Sequence, residues 1–342
     1  MSIFKKWFSK DLGIDLGTSN TLVYMRDKGI VVREPSVVAY NDKTKKVLAV
    51  GDEANQMIGR TPGNIKAVRP MKDGVIADFQ VTENMIRYFI NKIKSGSKIF
   101  KPRIIICIPS GATEVEHKAV LDAAHEAGAK EAYLIEESMA AAMGVGLAVQ
   151  NPIGNMIVDI GGGTTEVAVI SLGGIVNSRV IRDGGNKMDE AITQYIKEKY
   201  NLMIGERTAE ELKKEIGTVT LSKAEASKDI RGRNLVKGLP KTIEIQAEEL
   251  KGPLQKTVNN IINTIKIVLE NTPPELSSDI IENGIILTGG GSLLRGIDEC
   301  INDEVDIPVH LAETPLDSVA NGTGIALEEI DLLKETAIYS DR

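Results

Sequence analysis

Residues 11–23 read DLGIDLGTSNTLV, and residues 156–167 read MIVDIGGGTTEV. In each stretch an apolar run ends near an aspartate, a short turn rich in glycine, serine or threonine follows, and a second apolar run begins. This order predicts two strands joined by a tight turn. Because Asp15 and Asp159 are separated by close to half of the 342 residues, we predict an internal repeat of two related domains.

The rest of the chain alternates apolar runs with helical patterns. Strands are predicted at 103–108, 133–135 and 285–287, and helices at 82–94, 114–127, 139–147, 188–200, 207–217 and 247–270. Strands that alternate with helices indicate the α/β fold class with a largely parallel sheet.

A third glycine-rich turn, TGGGS at 288–292, also follows a predicted strand. Glycine lets backbone N–H groups approach a ligand closely, and consecutive N–H groups form a concave site for an anion. Asp15 and Asp159 end the strands before the other two turns. Carboxylates beside a phosphate site are suited to Mg²⁺ that is held mostly through water, so we expect a magnesium-bound phosphate ligand.

The composition excludes several classes of protein. Lys and Arg number 41 against 48 Asp and Glu, which gives a net charge of −7 and argues against a dedicated nucleic-acid-binding protein. No apolar run approaches the ~18 residues that a membrane-spanning helix needs. No Gly-Lys dipeptide occurs, so the chain has no Walker A loop. The two cysteines form no disulfide framework, which favours a reducing cytoplasm.

The first ten residues, MSIFKKWFSK, separate into two faces when they are placed on a helical wheel. The apolar face comprises Ile3, Phe4, Trp7 and Phe8, and the basic face comprises Lys5, Lys6 and Lys10. This pattern is typical of a helix that lies in the interface of an anionic membrane. Packing of the segment on the protein's own core is the alternative, and the sequence leaves it open.

The two aspartate turns and three further strings carry a resemblance to a known family. The strings are RPMKDGVIAD at 69–78, IGERTAE at 204–210 and LTGGGSLLRG at 287–296. Together they resemble the superfamily of actin, sugar kinases and heat-shock-chaperone ATPases, and more closely the MreB family of bacterial actins over essentially the whole chain. The resemblance implies an actin-like fold, with two duplicated α/β domains and a nucleotide cleft between them.

The resemblance also implies a domain organisation. The expected parts are an amphipathic segment at 1–10, domain I at 11–148 with a small subdomain at about 33–75, domain II at 149–310 with a small subdomain at about 182–248, and a C-terminal segment at 311–342 that mostly returns to domain I. No peptide-binding domain of the chaperone type is expected after it.

By the same resemblance, the cofactors are ATP or ADP and Mg²⁺. The β- and γ-phosphates would be held from one side by Thr18, Ser19 and Asn20, and from the other by Gly162, Gly163 and Thr164. The adenosine would be bordered by Glu210 and Lys213 and would rest on Thr288, Gly289, Gly290 and Gly291. Asp15 and Asp159 would hold Mg²⁺ through water.

Hydrolysis needs a water in line with the γ-phosphorus, and positioning supplies most of the rate. The resemblance gives this task to Glu137, with assistance from Thr164. A simpler interpretation of Glu137 is an acidic residue favoured by the positive end of a helix. The family usually has proline where this chain has Ser138, and the serine is expected to leave the helix start freer. The family also usually has aspartate where this chain has Asn186.

The loop SGSKIFK at 95–101 matches a family loop that dips into the membrane. Ile99 and Phe100 would insert, with Lys98 and Lys101 beside them. The same two residues could instead begin the next strand, and the sequence does not separate these alternatives.

The function implied is that of an ATP-binding, slowly hydrolysing filament protein of the bacterial cytoskeleton, with a role in cell shape. It would lie in the cytoplasm on the inner face of the membrane, and its partners would be further copies of itself, as paired antiparallel protofilaments, and an anionic membrane surface. The alternatives on the same fold are a small-molecule kinase, a chaperone ATPase, and a plasmid-segregation or division actin.

Overall fold

The structure is a computed structural model that describes residues 11–93, 101–220 and 226–328. The predicted amphipathic segment with Ile3, Phe4, Trp7 and Phe8 lies outside the described residues, and so do Ile99 and Phe100. Among the described helices, none has the length and apolar character that crossing a membrane demands.

The chain folds as two compact units. Unit 1 contains the described residues up to Val149 and those from Leu316 onwards, and unit 2 is Gln150–Pro315. The chain therefore leaves unit 1 once and returns to it near its end.

Unit 1 is built from ten strands and five helices in its described residues. The strands are β1 (Leu12–Leu16), β2 (Asn20–Met25), β3 (Gly29–Pro35), β4 (Val38–Asn41), β5 (Val47–Val50), β6 (Ile65–Val68), β7 (Met71–Lys72), β8 (Val75–Ile76), β9 (Arg103–Ile108) and β10 (Glu131–Glu136). The first four helices are α1 (Asp52–Asn55), α2 (Phe79–Ile93), α3 (Glu114–Ala127) and α4 (Glu137–Gly144). The fifth, which comes last in the chain, is α10 (Ser318–Glu328).

Unit 2 has eight strands and five helices in its described residues. The strands are β11 (Asn155–Ile160), β12 (Thr165–Ser171), β13 (Gly174–Ile181), β14 (Leu202–Met203), β15 (Ser227–Asn234), β16 (Pro240–Gln246), β17 (Ile285–Thr288) and β18 (Val309–Leu311). The helices are α5 (Gly185–Tyr200), α6 (Glu206–Ile216), α7 (Ala247–Glu270), α8 (Pro274–Asn283) and α9 (Ile297–Val305), and a 3-10 turn spans Gly290–Leu293.

Each unit contains a five-stranded sheet of the same topology. The order is β3-β2-β1-β9-β10 in unit 1 and β13-β12-β11-β17-β18 in unit 2. In both sheets the first three strands are antiparallel neighbours and the last three are parallel. The predicted internal repeat and the α/β class are therefore confirmed, and the two aspartate hairpins, β1–β2 and β11–β12, occupy equivalent positions.

The five-stranded sheet of unit 1 is buried on both faces, which explains the continuous apolar run at 103–108. Ile104 and Ile106 belong to the core beneath α2 and α3, whereas Ile105 points the other way and packs with Leu327 of α10. A strand covered on both faces needs apolar residues at every position, because successive side chains point to opposite faces.

Helices α4 and α10 approach each other closely because glycine occupies the contact points. A Cβ on Gly322 would overlap the carbonyl oxygen of Ala140, and a Cβ on Gly144 would overlap that of Ser318. Contacts between such small residues allow two helix backbones to touch, and they hold α4 firmly within unit 1.

Local sequence signals locate some elements accurately and others poorly. Helix α3 has the predicted bounds, because Thr113 forms a capping box with Glu116 and Gly128 ends the helix in the left-handed conformation. Helix α7 also has its predicted bounds. The stretch 218–245 is polar and mixed in sequence, yet it contains β15 and most of β16. Exposed positions alternate with more buried ones along β15, but Ile230 is the one apolar residue among its more buried positions, so the sequence shows no apolar alternation there.

Two helical glycines give a matched test of the α4–α10 contact. We expect Gly322→Ala to lower the free energy of unfolding by about 1–3 kcal/mol, because the two helices must separate to admit a methyl group. The measurement is the urea midpoint of the full chain.

Gly252→Ala in α7 is the control. Apart from its chain neighbours and the backbone of its own helix, no heavy atom lies within 4 Å of the Cβ that would be added there. The gain in helix propensity is offset because Pro253 disfavours a helical residue with a Cβ before it, so alanine should change the free energy of unfolding by less than about 1 kcal/mol. Equal effects at the two glycines would contradict the close contact.

Candidate functional site

The carbonyl groups of the turn between β1 and β2 accept hydrogen bonds from residues of unit 1. The carbonyl of Gly17 accepts a hydrogen bond of 2.6 Å from the hydroxyl of Ser36. The carbonyl of Ser19 accepts one of 2.9 Å from the backbone N–H of Ser36 and one of 3.3 Å from the guanidinium of Arg69. These carbonyls are therefore satisfied within unit 1.

A second, shorter hairpin supports the same turn. Strands β7 and β8 are joined by Asp73 and Gly74, which both have positive φ, as a two-residue hairpin turn requires. The backbone N–H of Gly74 donates a hydrogen bond of 3.1 Å to the hydroxyl of Thr18. The supporting roles of Arg69 and Gly74 were not predicted from the sequence, where this string carried only the resemblance. The Asp-Gly pair between Lys72 and Val75 was the signal for the hairpin.

Asp15 stands at the end of β1, paired across the hairpin with Leu22. Burial raises the pKa of Asp15 to about 7, because the charged carboxylate loses hydration. A carboxylate that has lost part of its hydration is stabilised by a cation that approaches it.

The turn between β11 and β12 is held by the start of helix α5. The carbonyls of Gly161 and Gly162 accept hydrogen bonds of 3.0 and 2.8 Å from the N–H groups of Gly185 and Asn186. Gly184 is required at this contact, since a Cβ there would lie 2.7 Å from the carbonyl oxygen of Gly161.

The N–H groups of this turn remain available. Within the residues that the structure describes, no acceptor takes the backbone N–H of Gly162, Gly163 or Thr164. The carbonyls of Gly161, Gly162 and Thr164 accept backbone hydrogen bonds, and three successive N–H donors beside them form an anion-binding arrangement. This is the chemistry predicted for these three residues.

The third glycine turn packs directly against Asp159. Thr288 is the register partner of Asp159 in the parallel pair β11–β17, and a Cβ on Gly289 would overlap the carboxylate of Asp159. Gly289 also has a φ of 80°, so only glycine fits there without strain. Gly291 similarly lies against Ile160.

Thr288 itself is buried, and its hydroxyl donates a hydrogen bond of 3.0 Å to the carbonyl of Pro315. The N–H of Gly289 donates to the same carbonyl at 2.9 Å. The side chain of Thr288 thus holds the turn in place, and Gly290 is the exposed glycine of the turn. The predicted adenosine contacts of Thr288 to Gly291 stay predictions.

Helix α6 carries the two residues predicted to border the adenosine. The ammonium of Lys213 lies 2.7 Å from the carbonyl of Gly185 and 2.9 Å from the carboxylate of Asp189, so it sits at the start of α5 beside the β11–β12 turn. Burial raises the pKa of Asp189 to about 6, and Lys213 acts in the opposite direction. Glu210 is half-buried and forms an ion pair of 2.6 Å with Lys214.

Glu137 is the first residue of helix α4, two residues earlier than the predicted helix start. The strand register places it: Ile14 of β1 pairs with Ile106 of β9, which pairs with Leu134 of β10. The carboxyl ends of these parallel strands therefore lie level, and Glu137 follows β10 at the sheet edge where the β1–β2 turn follows β1.

The prediction that Ser138 leaves the helix start freer stays a prediction, but the serine side chain has a partner. Its side chain is fully buried, and its hydroxyl lies 3.1 Å from the hydroxyl of Ser110, in the loop after β9. A hydrogen bond between these hydroxyls anchors the start of α4. No sequence signal pointed to Ser110, because its partner lies 28 residues away.

Each unit thus assembles its own half of the predicted residues. Unit 1 brings Asp15, the turn 17–20 and Glu137 to one sheet edge, and unit 2 gathers Asp159, the turn 161–164, Lys213 and the turn 288–291. Among the described residues, no group of three or more His, Cys, Asp or Glu side chains is arranged to hold a metal ion. Single carboxylates such as Asp15 and Asp159 suit a cation that keeps most of its water.

Known proteins resemble this chain over almost its full length. The sequence profile of the MreB/Mbl protein family matches residues 9–335. The cell shape-determining protein Mbl of Bacillus cereus is 54% identical over 331 residues, which are 97% of this chain and 99% of that protein. The cell shape-determining protein MreB of Escherichia coli is 52% identical over 334 residues, which are 96% of each.

The fold has solved counterparts. MreB5 of Spiroplasma citri, in crystal structures bound to ADP and to AMPPNP, superposes with a TM-score of 0.91 at 40% identity and covers 96% of this chain and 99% of its own. The predicted actin-like fold is therefore confirmed. On the profile match and these identities, the chain belongs to the MreB/Mbl family of bacterial actin-like proteins.

Proposed function

We propose that this protein binds and slowly hydrolyses ATP, assembles into filaments on the inner face of the membrane, and contributes to cell shape. The observation that carries the proposal is the duplicated hairpin, whose turn in unit 2 presents the free N–H groups of Gly162, Gly163 and Thr164 within the described residues. Relatives named as cell shape-determining proteins, and MreB5 bound to ADP and to AMPPNP, support it.

The ligand we propose is ATP with Mg²⁺. The turn 162–164 donates N–H groups to the β- and γ-phosphates, and Thr18, Ser19 and Asn20 bind them from the other hairpin. Asp15 and Asp159 fit a hydrated Mg²⁺, because the first is a half-buried carboxyl with a raised pKa and the second lies against Gly289. When bound, Mg²⁺ neutralises charge on the phosphate oxygens.

We assign the orientation of the attacking water to Glu137, with Thr164 as a second polar contact. Glu137 begins a helix whose opposite end is fixed against α10 by Gly144, so its backbone position is well defined. A carboxylate that accepts hydrogen bonds from water aligns it for attack, and such positioning accounts for most of the catalysis in phosphoryl transfer.

For self-assembly we propose an apolar and basic hairpin end in unit 2. The end of the β14–β15–β16 sheet exposes apolar side chains, with Val236 78% exposed and Leu239 62% exposed. The apolar residues are Met203, Leu235, Val236 and Leu239, and exposed cations around them are Arg231, Arg233, Lys237 and Lys241. Contact between a surface of this kind and an acidic surface with apolar residues is favourable, because apolar area is buried and opposite charges meet.

Unit 2 also has the complementary surface. Helix α9 and the residue after it expose Glu299, Asp303, Glu304 and Asp306, and Leu293 and Leu311 are the exposed apolar residues of the neighbouring elements. We propose that the hairpin end of one copy docks on the acidic surface of the next. A contact between two different surfaces of one chain repeats without closing, and so produces a filament.

Membrane binding is proposed for the segment at 1–10 and for Ile99 and Phe100. One copy of so short a helix binds weakly, whereas many copies joined in a filament bind strongly through avidity. Membrane binding and assembly should therefore reinforce each other.

The central experiment is sedimentation of the full chain with ATP, with ADP and with AMPPNP, accompanied by measurement of phosphate release. We expect pelleting with ATP and AMPPNP and slow release of phosphate from ATP. Absence of a pellet under every condition would overturn the filament proposal. Transfer of phosphate to a sugar rather than to water would identify the small-molecule kinase instead.

Charge introduced at the hairpin end should block assembly. We expect Val236→Glu combined with Leu239→Glu to reduce the ATP-dependent pellet by more than about tenfold, since the charges would meet an acidic partner surface. Binding of a fluorescent ATP analogue should be unchanged.

Val115→Glu is the matched control, because Val115 on α3 is also 78% exposed. It should pellet like the wild type. Normal pelleting of the hairpin variant would remove this surface from the assembly contact.

The amphipathic segment should contribute to membrane binding. We expect Trp7→Ala with Phe8→Ala to weaken cosedimentation with anionic liposomes by more than about tenfold, because the two aromatic side chains proposed to insert into the membrane are lost. Ile99→Ala with Phe100→Ala is the companion variant. Loss of binding only in the companion would assign the anchor to the loop, and binding retained in both would contradict the proposal.

The raised pKa of Asp15 predicts a pH dependence of stability. A carboxyl with a higher pKa in the folded than in the unfolded chain costs stability as pH rises from near 4 to about 7. We therefore expect Asp15→Asn, without nucleotide or Mg²⁺, to raise the melting temperature relative to wild type more at pH 8 than at pH 5.

The control is Asp122→Asn on the exposed face of α3, which should show no such divergence. A constant difference between Asp15→Asn and wild type across this range would show that Asp15 ionises normally. With Mg²⁺ and ATP at pH 8, the wild type should have the higher melting temperature, since the cation stabilises the Asp15 carboxylate and gains less from asparagine.

A further inference from the structure

A buried pair of hydroxyl groups lies at the start of helix α4. The side chain of Ser138 is fully buried, and its Oγ lies 3.1 Å from Oγ of Ser110. Ser138 is the second residue of the helix and follows Glu137 directly. The residue before the helix, Glu136, offers no side-chain cap, and the hydroxyl pair ties this helix start to the loop between β9 and α3.

Ser110 comes from a separate element, the loop between β9 and α3. Strand β9 lies between β1 and β10 in the sheet, and Ile108 at its end pairs with Glu136. Ser110 therefore stands at the same sheet edge as the β1–β2 turn, two residues beyond the strand. The bond from Ser110 to Ser138 fixes the start of α4 relative to that edge.

Serine and proline fix a helix start in different ways. Proline sets φ by its ring and needs no partner, and the N–H that it lacks has no intrahelical acceptor in the first turn. Serine leaves φ free, so the constraint that its side chain adds comes from the atom that its hydroxyl contacts. In this chain, which has serine at position 138, the contact that its side chain makes at the helix start involves a second residue, Ser110.

We propose that Ser110 is a positioning residue for Glu137, acting through the buried hydroxyl of Ser138. This inference rests on the proposed role of Glu137 in ATP hydrolysis. The Ser110–Ser138 hydrogen bond sets the direction of the first turn of α4 and thereby the place of the Glu137 carboxylate. Small displacements of a group that orients a nucleophile reduce the rate of the chemical step much more than the binding of substrate.

The test is a double-mutant cycle on phosphate release and on the affinity for a fluorescent ATP analogue, in the full chain. We expect Ser110→Ala and Ser138→Ala each to lower kcat by about 5- to 50-fold. The affinity should change by less than about twofold, and the double variant should be no slower than either single variant, because both remove one interaction. Ser110→Thr, which keeps the hydroxyl, should retain most of the rate.

Proline at position 138 gives the decisive comparison. Ser138→Pro should restore a helix start that needs no partner, so adding Ser110→Ala to it should leave kcat unchanged. If Ser138→Pro does not fold, the double-mutant cycle with the two alanine variants still tests the inference. Reductions of kcat that multiply in the double variant would show that Ser110 and Ser138 act independently, and would overturn it.

Thr82→Val is the matched control for loss of a buried hydroxyl. Thr82 lies in α2 of the same unit, and its hydroxyl donates a hydrogen bond of 2.8 Å to the carbonyl of Asp78. Its replacement should lower the melting temperature and leave kcat unchanged. If Ser110→Ala also lowers the melting temperature and leaves kcat unchanged, the role of Ser110 is structural only, and this result would overturn the inference.

The outcomes also separate this inference from the proposed function. No phosphate release by the wild-type chain would overturn hydrolysis and the inference together. Normal release that is insensitive to Ser110→Ala, or a loss that is equally large with proline at position 138, would overturn the inference alone.

Discussion

The engagement of turn carbonyls by neighbouring backbone and side-chain donors is the constraint on which the proposed site depends. A tight turn exposes both N–H and C=O groups, and it can attract an anion only if the carbonyls are directed elsewhere. In unit 2 the start of helix α5 accomplishes this, since Gly185 and Asn186 donate to the carbonyls of Gly161 and Gly162. In unit 1, Ser36 and Arg69 serve the carbonyls of Gly17 and Ser19.

Both units engage the carbonyls of their hairpin turns, but they use different elements to do so. Unit 2 uses a helix N-terminus, which adds its own favourable interaction with negative charge. Unit 1 uses a serine, an arginine and the small β7–β8 hairpin, and its Gly74 also orients the hydroxyl of Thr18. The repeat of the sheet topology is thus strict, whereas the support of each turn differs, and only the unit 2 turn is bound to a helix start.

Close backbone approach recurs at the places that carry the proposed chemistry. Gly184 admits the β11–β12 turn, Gly289 admits the carboxylate of Asp159, and Gly322 admits the backbone of α4. Each contact removes the freedom of a functional group to move, because neighbouring atoms are packed against it. The rigid elements therefore hold Asp159 and the helix that bears Glu137, and the hydroxyl pair of Ser110 and Ser138 adds a side-chain contact at the start of that helix.

Sequence alone determined the features that depend on local patterns. The two Asp-x-Gly hairpins, the internal repeat, the α/β class and helices such as α3 and α7 follow from periodicity, turn residues and caps, which act over a few positions. The strands β15 and β16 escaped this reasoning because few of their residues are apolar, and in β15 the more buried positions hold Lys228, Gly232 and Asn234 beside the single Ile230. Only the tertiary structure decided that Gly74 supports Thr18, that Gly289 encloses Asp159, and that Ser110 holds Ser138. These partners lie far apart in the chain, and strand register, which no local pattern specifies, brings them together.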